Sequence, residues 1–70
     1  MYYEMNNQTK RFERDNYEYF VTPTTTTIMG NARSRLYLIE KVNMNTSLTT
    51  ESHYMWGETH EGALYNYFHH

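Results

Sequence analysis

The 70-residue chain contains no cysteine, one proline and three glycines. Without cysteine, neither a disulfide nor a thiolate-bound zinc ion can stabilise it. A domain of this size buries only about 60% of the surface that its unfolded chain exposes, so its stability is marginal. An apolar core, a second chain, or a metal site built from histidine and carboxylate must hold it together. The lack of cysteine also fits a reducing compartment.

Long apolar runs are absent as well, since no stretch approaches the roughly 20 apolar residues that a membrane-spanning helix needs. The first residues, MYYEMNNQTKRF, contain no apolar segment of the kind that a secretory signal peptide requires. We therefore expect a cytoplasmic protein that has no membrane partner.

An excess of charge of one sign is also missing: six lysines and arginines face eight aspartates and glutamates, for a net charge of −2. A domain that binds nucleic acid mainly through its phosphate groups usually has a clearly basic balance. A protein that imitates DNA would be far more acidic than this chain. The charge balance therefore favours neither of these two classes.

Sequence motifs of catalysis are missing too. No serine stands in a G-x-S-x-G turn, and the three glycines lie too far apart to form a phosphate-binding loop. His53, Glu58, His60 and Glu61 lie close together in sequence, but neither H-E-x-x-H nor H-x-H spacing occurs. We therefore predict a protein that is not an enzyme and that uses no metal or cofactor; a histidine-based metal enzyme is the third hypothesis.

Aromatic residues are abundant, at 17% of the chain, and eight of them are tyrosines. Two segments rich in aromatic and β-branched residues, YEYFVTPTTTTIM and ARSRLYLIEKVN, flank the turn residues Gly30-Asn31. A two-residue loop that begins with glycine is typical of a type II′ hairpin turn. We therefore predict a β-hairpin over about residues 17–43 with its turn at Gly30-Asn31.

The predicted turn sets the register of this hairpin. Pro23 would lie opposite Leu38, at a site where a backbone N–H is needed, and proline has none. We expect the hairpin to be regular from about Thr24 to the turn and to bend at Pro23. The core face would consist of Leu36, Leu38 and Val42, and the opposite face would carry Arg33, Arg35, Tyr37, Ile39 and Lys41.

The remaining segments complete a small α+β domain over residues 17–70. ESHYMWGET alternates in a way that predicts a third strand over about residues 52–57. A C-terminal helix capped by Thr59 would place Leu64 near Phe68 and pack on one face of the sheet. The alternative is an all-β fold in which residues 63–68 form a fourth strand. Residues 1–16 are expected to be irregular or to form a short helix.

An uncharged edge strand indicates how the domain acts. The threonines Thr24, Thr25, Thr26 and Thr27 would lie at the sheet edge, and VTPTTTTIMGNA contains no charged residue. Natural edges are normally guarded by charge, proline or a bulge, and an unguarded edge can pair with a strand from another chain. We therefore predict a protein partner, or a homodimer formed through the Thr24–Thr27 edge.

The predicted binding surface combines that edge with part of the hairpin and the third strand. Its further members are Arg33, Arg35, Tyr37, Tyr54 and Trp56. The alternative function is a single-stranded nucleic-acid-binding domain, in which the arginines contact phosphates and Tyr37 stacks on bases. Both functions use tyrosine, which is enriched at protein interfaces and also stacks on bases.

The overall composition resembles that of small accessory proteins from AT-rich phages. Like them, the chain is short, lacks cysteine and is rich in tyrosine, asparagine, threonine and methionine. Many such proteins inhibit host enzymes or defence complexes by occluding a surface. The resemblance therefore implies a stoichiometric inhibitor or adaptor that acts on a larger protein or ribonucleoprotein, in the host cytoplasm if a phage encodes it. It covers no motif and assigns no role to any residue.

Overall fold

The computed structural model describes residues 8–28 and 31–69, with the backbone alone for residues 27, 28, 31 and 32. Its elements are β1 (Lys10–Arg14), β2 (Tyr17–Ile28), β3 (Asn31–Asn43), β4 (Thr49–Gly57) and α1 (His60–His69). The strands form one antiparallel sheet in the order β1-β2-β3-β4. The predicted α+β class is confirmed. The alternative fourth strand over residues 63–68 is wrong, because these residues belong to α1.

The N-terminal segment departs from the prediction. Lys10–Arg14 form a strand rather than an irregular or helical segment, and Arg14 pairs with Tyr17 across a two-residue turn. Both turn residues, Asp15 and Asn16, have positive φ values of 53° and 70°. This is the pattern of a type I′ hairpin turn, which matches the twist of the strands it joins. Residues 1–7 lie outside the described part of the chain.

The register of the β2–β3 hairpin differs from the predicted one by one residue, since Pro23 pairs with Tyr37 rather than with Leu38. Side chains alternate between the two faces of a sheet, so a slip of one residue turns a whole strand over. Tyr37 and Ile39 therefore face the core, with 4% and 1% of their surface exposed. The predicted core residues Leu36, Leu38 and Val42 are half-buried and lie on the opposite face.

This register resolves the conflict at Pro23. The carbonyl of Leu36 points toward β2, because it accepts a hydrogen bond of 2.7 Å from the Thr24 hydroxyl. Backbone groups alternate in direction along an antiparallel strand, so those of Tyr37 point toward β4 instead. Pro23 thus lies opposite a residue that needs no N–H from β2. The missing proline donor favours the observed register over the predicted one.

The irregular part of the hairpin lies on the turn side of Pro23, which is the reverse of the prediction. Pairing is continuous from Tyr17 to Pro23, and register shifts follow between Pro23 and Thr27 and again before Ile28. Ile28 pairs with Asn31, so Asn31 belongs to β3 rather than to the turn. Gly30 lies outside the described residues.

The core lies between α1 and one face of the sheet. Val21 and Ile39 contribute its most deeply buried side chains. Tyr19 makes edge-to-face contacts with Tyr67 and Phe68 of α1, at centroid distances of 5.9 and 5.1 Å. Such pairs add about 0.5–1.5 kcal/mol to the stabilisation from burial. The core as a whole consists of Tyr19, Val21, Tyr37, Ile39, Ala63, Leu64 and Tyr67.

The start of α1 is fixed by its cap and by a close contact. The Thr59 hydroxyl accepts a hydrogen bond of 2.9 Å from the Gly62 N–H, which confirms the predicted cap. Just before it, Gly57 approaches Ala63 so closely that an added Cβ would lie 2.5 Å from the Ala63 nitrogen. α1 is neither long enough nor apolar enough to cross a membrane.

Candidate protein interface

The sheet face opposite α1 is called the open face here. Its position is clearest in β4, where side chains alternate between two environments. Met55 and Gly57 lie toward α1 and are half-buried and buried, respectively. Tyr54 and Trp56 point the other way, with 61% and 38% of their surface exposed. In the described part of the chain, the core contacts all lie on the α1 side of the sheet.

Apolar side chains form a continuous band on the open face. In the strand register, Leu38 lies opposite Tyr54 and Leu36 lies opposite Trp56. Residues two apart on one strand are about 7 Å apart, so these two pairs are neighbours. Phe20 on β2 extends the band, diagonal to Leu38. The apolar band therefore consists of Phe20, Leu36, Leu38, Tyr54 and Trp56.

Acidic residues border the apolar band. Glu13 and Glu18 pair with each other across β1 and β2, and the Arg11 guanidinium contacts both carboxylates. Glu40 lies beside Phe20 on the neighbouring strand. Three carboxylates and one guanidinium give this part of the open face a negative charge.

Most of the cations lie elsewhere. On the α1 side of the sheet, Lys10 is 3.8 Å from Glu61, and Arg35 pairs with the buried Gly57. Arg14 and Lys41 lie over the rings of Phe68 and Tyr17, each at a little over 4 Å from the centroid. The exposed aromatic side chains of β4 and these four cations are thus on opposite faces of the sheet.

The predicted arginine–tyrosine surface of the hairpin is not a single exposed surface. Tyr37 is buried in the core, and its ring contacts the His60 ring at 5.2 Å. Burial raises the pKa of Tyr37, an effect that the charge of Arg35 partly offsets. Arg33 is exposed and its guanidinium lies 3.9 Å from the Glu58 carboxylate. Tyr37 is therefore removed from any contact with a partner.

The predicted threonine edge of β2 is not covered by β1, but its backbone is irregular. Within the described residues, β1 pairs with β2 only over Tyr17–Val21, so Thr24–Thr26 lie beyond that pairing. The Thr26 N–H donates to the Thr24 hydroxyl at 3.1 Å, and this hydroxyl in turn donates to Leu36. A bulge of this kind is one of the devices that protect edges from pairing. The side chain of Thr27 lies outside the described part.

The histidines that could bind a metal contact different neighbours. His60 is buried, and its Nε2 lies 2.7 Å from the carbonyl of Gln8. His53 lies on β4, 3.7 Å from the Glu51 carboxylate. Over residues 8–28 and 31–69, no group of three or more histidine, aspartate and glutamate side chains is placed to hold an ion.

On the α1 side of the sheet, the buried Tyr67 contacts the exposed Glu51. The Tyr67 hydroxyl donates a hydrogen bond to the Glu51 carboxylate, which joins the C-terminal half of α1 to β4. Burial raises the pKa of Tyr67, and the hydrogen bond to Glu51 raises it further. The hydrogen bond between Tyr67 and Glu51 therefore helps to hold α1 against β4.

Comparisons of the chain with protein-family models, with curated proteins and with solved structures find no match. What the surface can do must therefore follow from its own geometry and chemistry. Of the predicted binding residues, Tyr54 and Trp56 lie together on the open face. Leu36 and Leu38 were missed as surface residues, because both faces of β3 carry apolar side chains and the wrong one was assigned to the core.

Proposed function

We propose that the protein is a small non-enzymatic binding module, an inhibitor or adaptor that uses its open face to occlude a surface of a larger protein or ribonucleoprotein. The observation that carries this proposal is the apolar band, which no described element covers and which contains the exposed Tyr54 and Trp56. Single exposed apolar side chains are common on protein surfaces, whereas a contiguous apolar patch is typical of an interaction site.

The composition and size of the open face fit a protein interface. Tyrosine and tryptophan are the residues in which interface binding energy is most often concentrated, typically inside a polar rim. The molecule is flat, at 42 × 27 × 15 Å. Its broad face is therefore large enough for a standard interface, which buries roughly 800 Å² on each partner.

The charges on the open face indicate the kind of partner. Glu13, Glu18 and Glu40 outnumber Arg11 there, so a basic protein surface is complementary. A nucleic-acid strand would bring phosphates next to these carboxylates. It would also find the exposed aromatics of β4 on the face opposite Arg35 and Lys41, whereas a single-strand platform needs both groups together.

The proposed inhibitor or adaptor would act in the cytoplasm, and in the host cytoplasm if a phage encodes it. The composition supports this part of the proposal, as described above. A homodimer through the Thr24–Thr27 edge is a separate hypothesis, which the bulge at Thr24–Thr26 makes less favourable.

The test is affinity capture from an extract of the organism in which the protein acts, followed by binding measurements with the captured partner in purified form. Tyr54→Ser should weaken binding by about 1–2 kcal/mol, or five- to thirtyfold, because an interface aromatic is truncated. The matched control is Leu48→Ser, since Leu48 is as exposed as Tyr54, at 65%, but lies in the β3–β4 loop.

Normal binding by Tyr54→Ser, or an equal loss in both variants, would contradict the proposal. Binding that is retained by Tyr54→Ser but lost in Arg35→Ala, with a steep dependence on salt, would favour nucleic acid as the partner.

A further inference from the structure

A wide-mouthed cavity of about 470 Å³, open to solvent over most of its extent, lies at the junction between β4 and α1. Trp56 of the apolar band lines it together with Tyr65 and Asn66 of α1. Glu58 and Ser34 also line it. The cavity is therefore continuous with the open face through Trp56.

Two contacts between α1 and β4 hold the residues around this cavity in place. Gly57 lies so close to Ala63 that an added Cβ would meet the Ala63 nitrogen at 2.5 Å. The Asn66 side chain donates a hydrogen bond of 2.7 Å to the carbonyl of Trp56. This carbonyl lies on the outer edge of the sheet, so Asn66 also occupies part of that edge. These contacts fix the position of α1 against β4 beside the cavity.

The side chains around the cavity favour a ligand group that is planar and positively charged. Trp56 and Tyr65 are exposed aromatics, with 38% and 62% of their surface in contact with solvent. The Glu58 carboxylate supplies negative charge, and its side chain is 54% exposed. Aromatic faces next to a carboxylate are a suitable environment for a guanidinium group, which stacks on rings and pairs with carboxylates through two parallel hydrogen bonds.

We propose that this cavity receives an arginine side chain from the protein that binds the open face. This inference rests on the proposed function. The guanidinium would stack on Trp56 and bond to Glu58, while the backbone of the partner continues over the apolar band. Arginine fits better than lysine, because its planar guanidinium can lie flat on a ring and form two parallel hydrogen bonds to one carboxylate, whereas an ammonium group is a point charge. A nucleobase fits less well, because its phosphate would lie near Glu58.

Arg33 is the internal competitor for this position. Its guanidinium lies 3.9 Å from the Glu58 carboxylate, at the outer limit of an ion pair, and its side chain is 84% exposed. An incoming arginine would displace this loose contact. The proposal therefore makes two opposite predictions at one site: removal of Glu58 weakens arginine binding, and removal of Arg33 strengthens it.

Trp56 is the single tryptophan of the chain, so its fluorescence reports directly on the cavity. The probes are the peptides Gly-Arg-Gly and Gly-Lys-Gly and, for the competing ligand, cytidine monophosphate. We expect Gly-Arg-Gly to change the Trp56 emission at lower concentration than the other two. Glu58→Gln should weaken its binding about threefold or more, and Arg33→Ala should strengthen it about twofold. Circular dichroism checks that both variants fold.

Equal binding of the arginine and lysine peptides, tighter binding of cytidine monophosphate, or no effect of Glu58→Gln would overturn the arginine site. These results would leave the open face untouched, since its test is the loss of partner binding in Tyr54→Ser. Conversely, if Gly-Arg-Gly binds as expected but Tyr54→Ser binds the captured partner normally, the cavity is supported as an arginine site and the open face is contradicted.

Discussion

Gly57 is the position where the fold is most sensitive to one added methyl group. In Gly57→Ala the new Cβ would lie 2.5 Å from the nitrogen of Ala63, 2.7 Å from its Cα and 3.0 Å from its Cβ. Carbon atoms in contact are normally about 3.5–4.0 Å apart, so α1 must move away from β4 by roughly 1 Å. The two nearest of these atoms belong to the helix backbone, which cannot give way as a flexible side chain would.

The cost follows from what this shift disturbs. Ala63 and Leu64 are buried against the sheet, and the Asn66 side chain bonds to the Trp56 carbonyl. Overpacking of a well-packed site costs about 1–3 kcal/mol. For a domain of this size, 1 kcal/mol corresponds to about 4–8 °C in Tm, so a cost of about 2 kcal/mol lowers Tm by roughly 8–16 °C.

Thermal and urea unfolding followed by circular dichroism measure this effect. The matched control is Gly62→Ala, whose Cβ would lie 3.2 Å from the side-chain hydroxyl of Thr59. Alanine is favoured over glycine in a helix by about 1 kcal/mol, which offsets that contact, so the control should change stability by less than about 1 kcal/mol. A Gly57→Ala protein as stable as wild type would refute the observed packing of α1 on β4.

Three further predictions concern the helix cap, the alkaline limit and the sheet edge. Thr59→Ala should lower the free energy of unfolding by about 1 kcal/mol, since it removes the cap of α1, and Thr59→Ser should restore most of it in urea unfolding. Because the pKa of Tyr67 is raised above its ordinary 10.0, its proton stabilises the fold fully below pH 10 and progressively less above it. Tyr67→Phe should therefore flatten the fall in Tm above pH 10, and an unchanged slope would contradict this. If the Thr24–Thr27 edge forms a homodimer, Thr26→Pro should yield monomers in analytical ultracentrifugation; an unchanged sedimentation profile would exclude that edge as the interface.

The type of each later element could be predicted from sequence because its local signals agree. Thr59 followed by a helix-forming segment favours α1 over the alternative fourth strand, and the alternation around Tyr54 and Trp56 indicates β4. These signals are local, so they do not depend on how the strands pair. The N-terminal strand was missed although Asp15-Asn16 is a turn pair that accepts positive φ.

The register of the hairpin could not be read from its apolar pattern. Leu36 and Leu38 on one face of β3 are as apolar as Tyr37 and Ile39 on the other, so alternation cannot choose between them. Pro23 carried the missing information. It has no N–H to donate, so it fits only the register in which the opposite residue needs no hydrogen bond from β2. That choice determines the surface as well, since it decides whether the leucines or Tyr37 are exposed.

The central claim, that the open face contacts a protein partner, is tested most directly by site-specific photocrosslinking to the captured and purified partner. Photoreactive benzoylphenylalanine is placed at position 54 on the open face and, as control, at position 48 in the β3–β4 loop. We predict a one-to-one crosslinked product from position 54 and none from position 48. A product from position 48 alone would contradict the assignment of the open face as the binding surface.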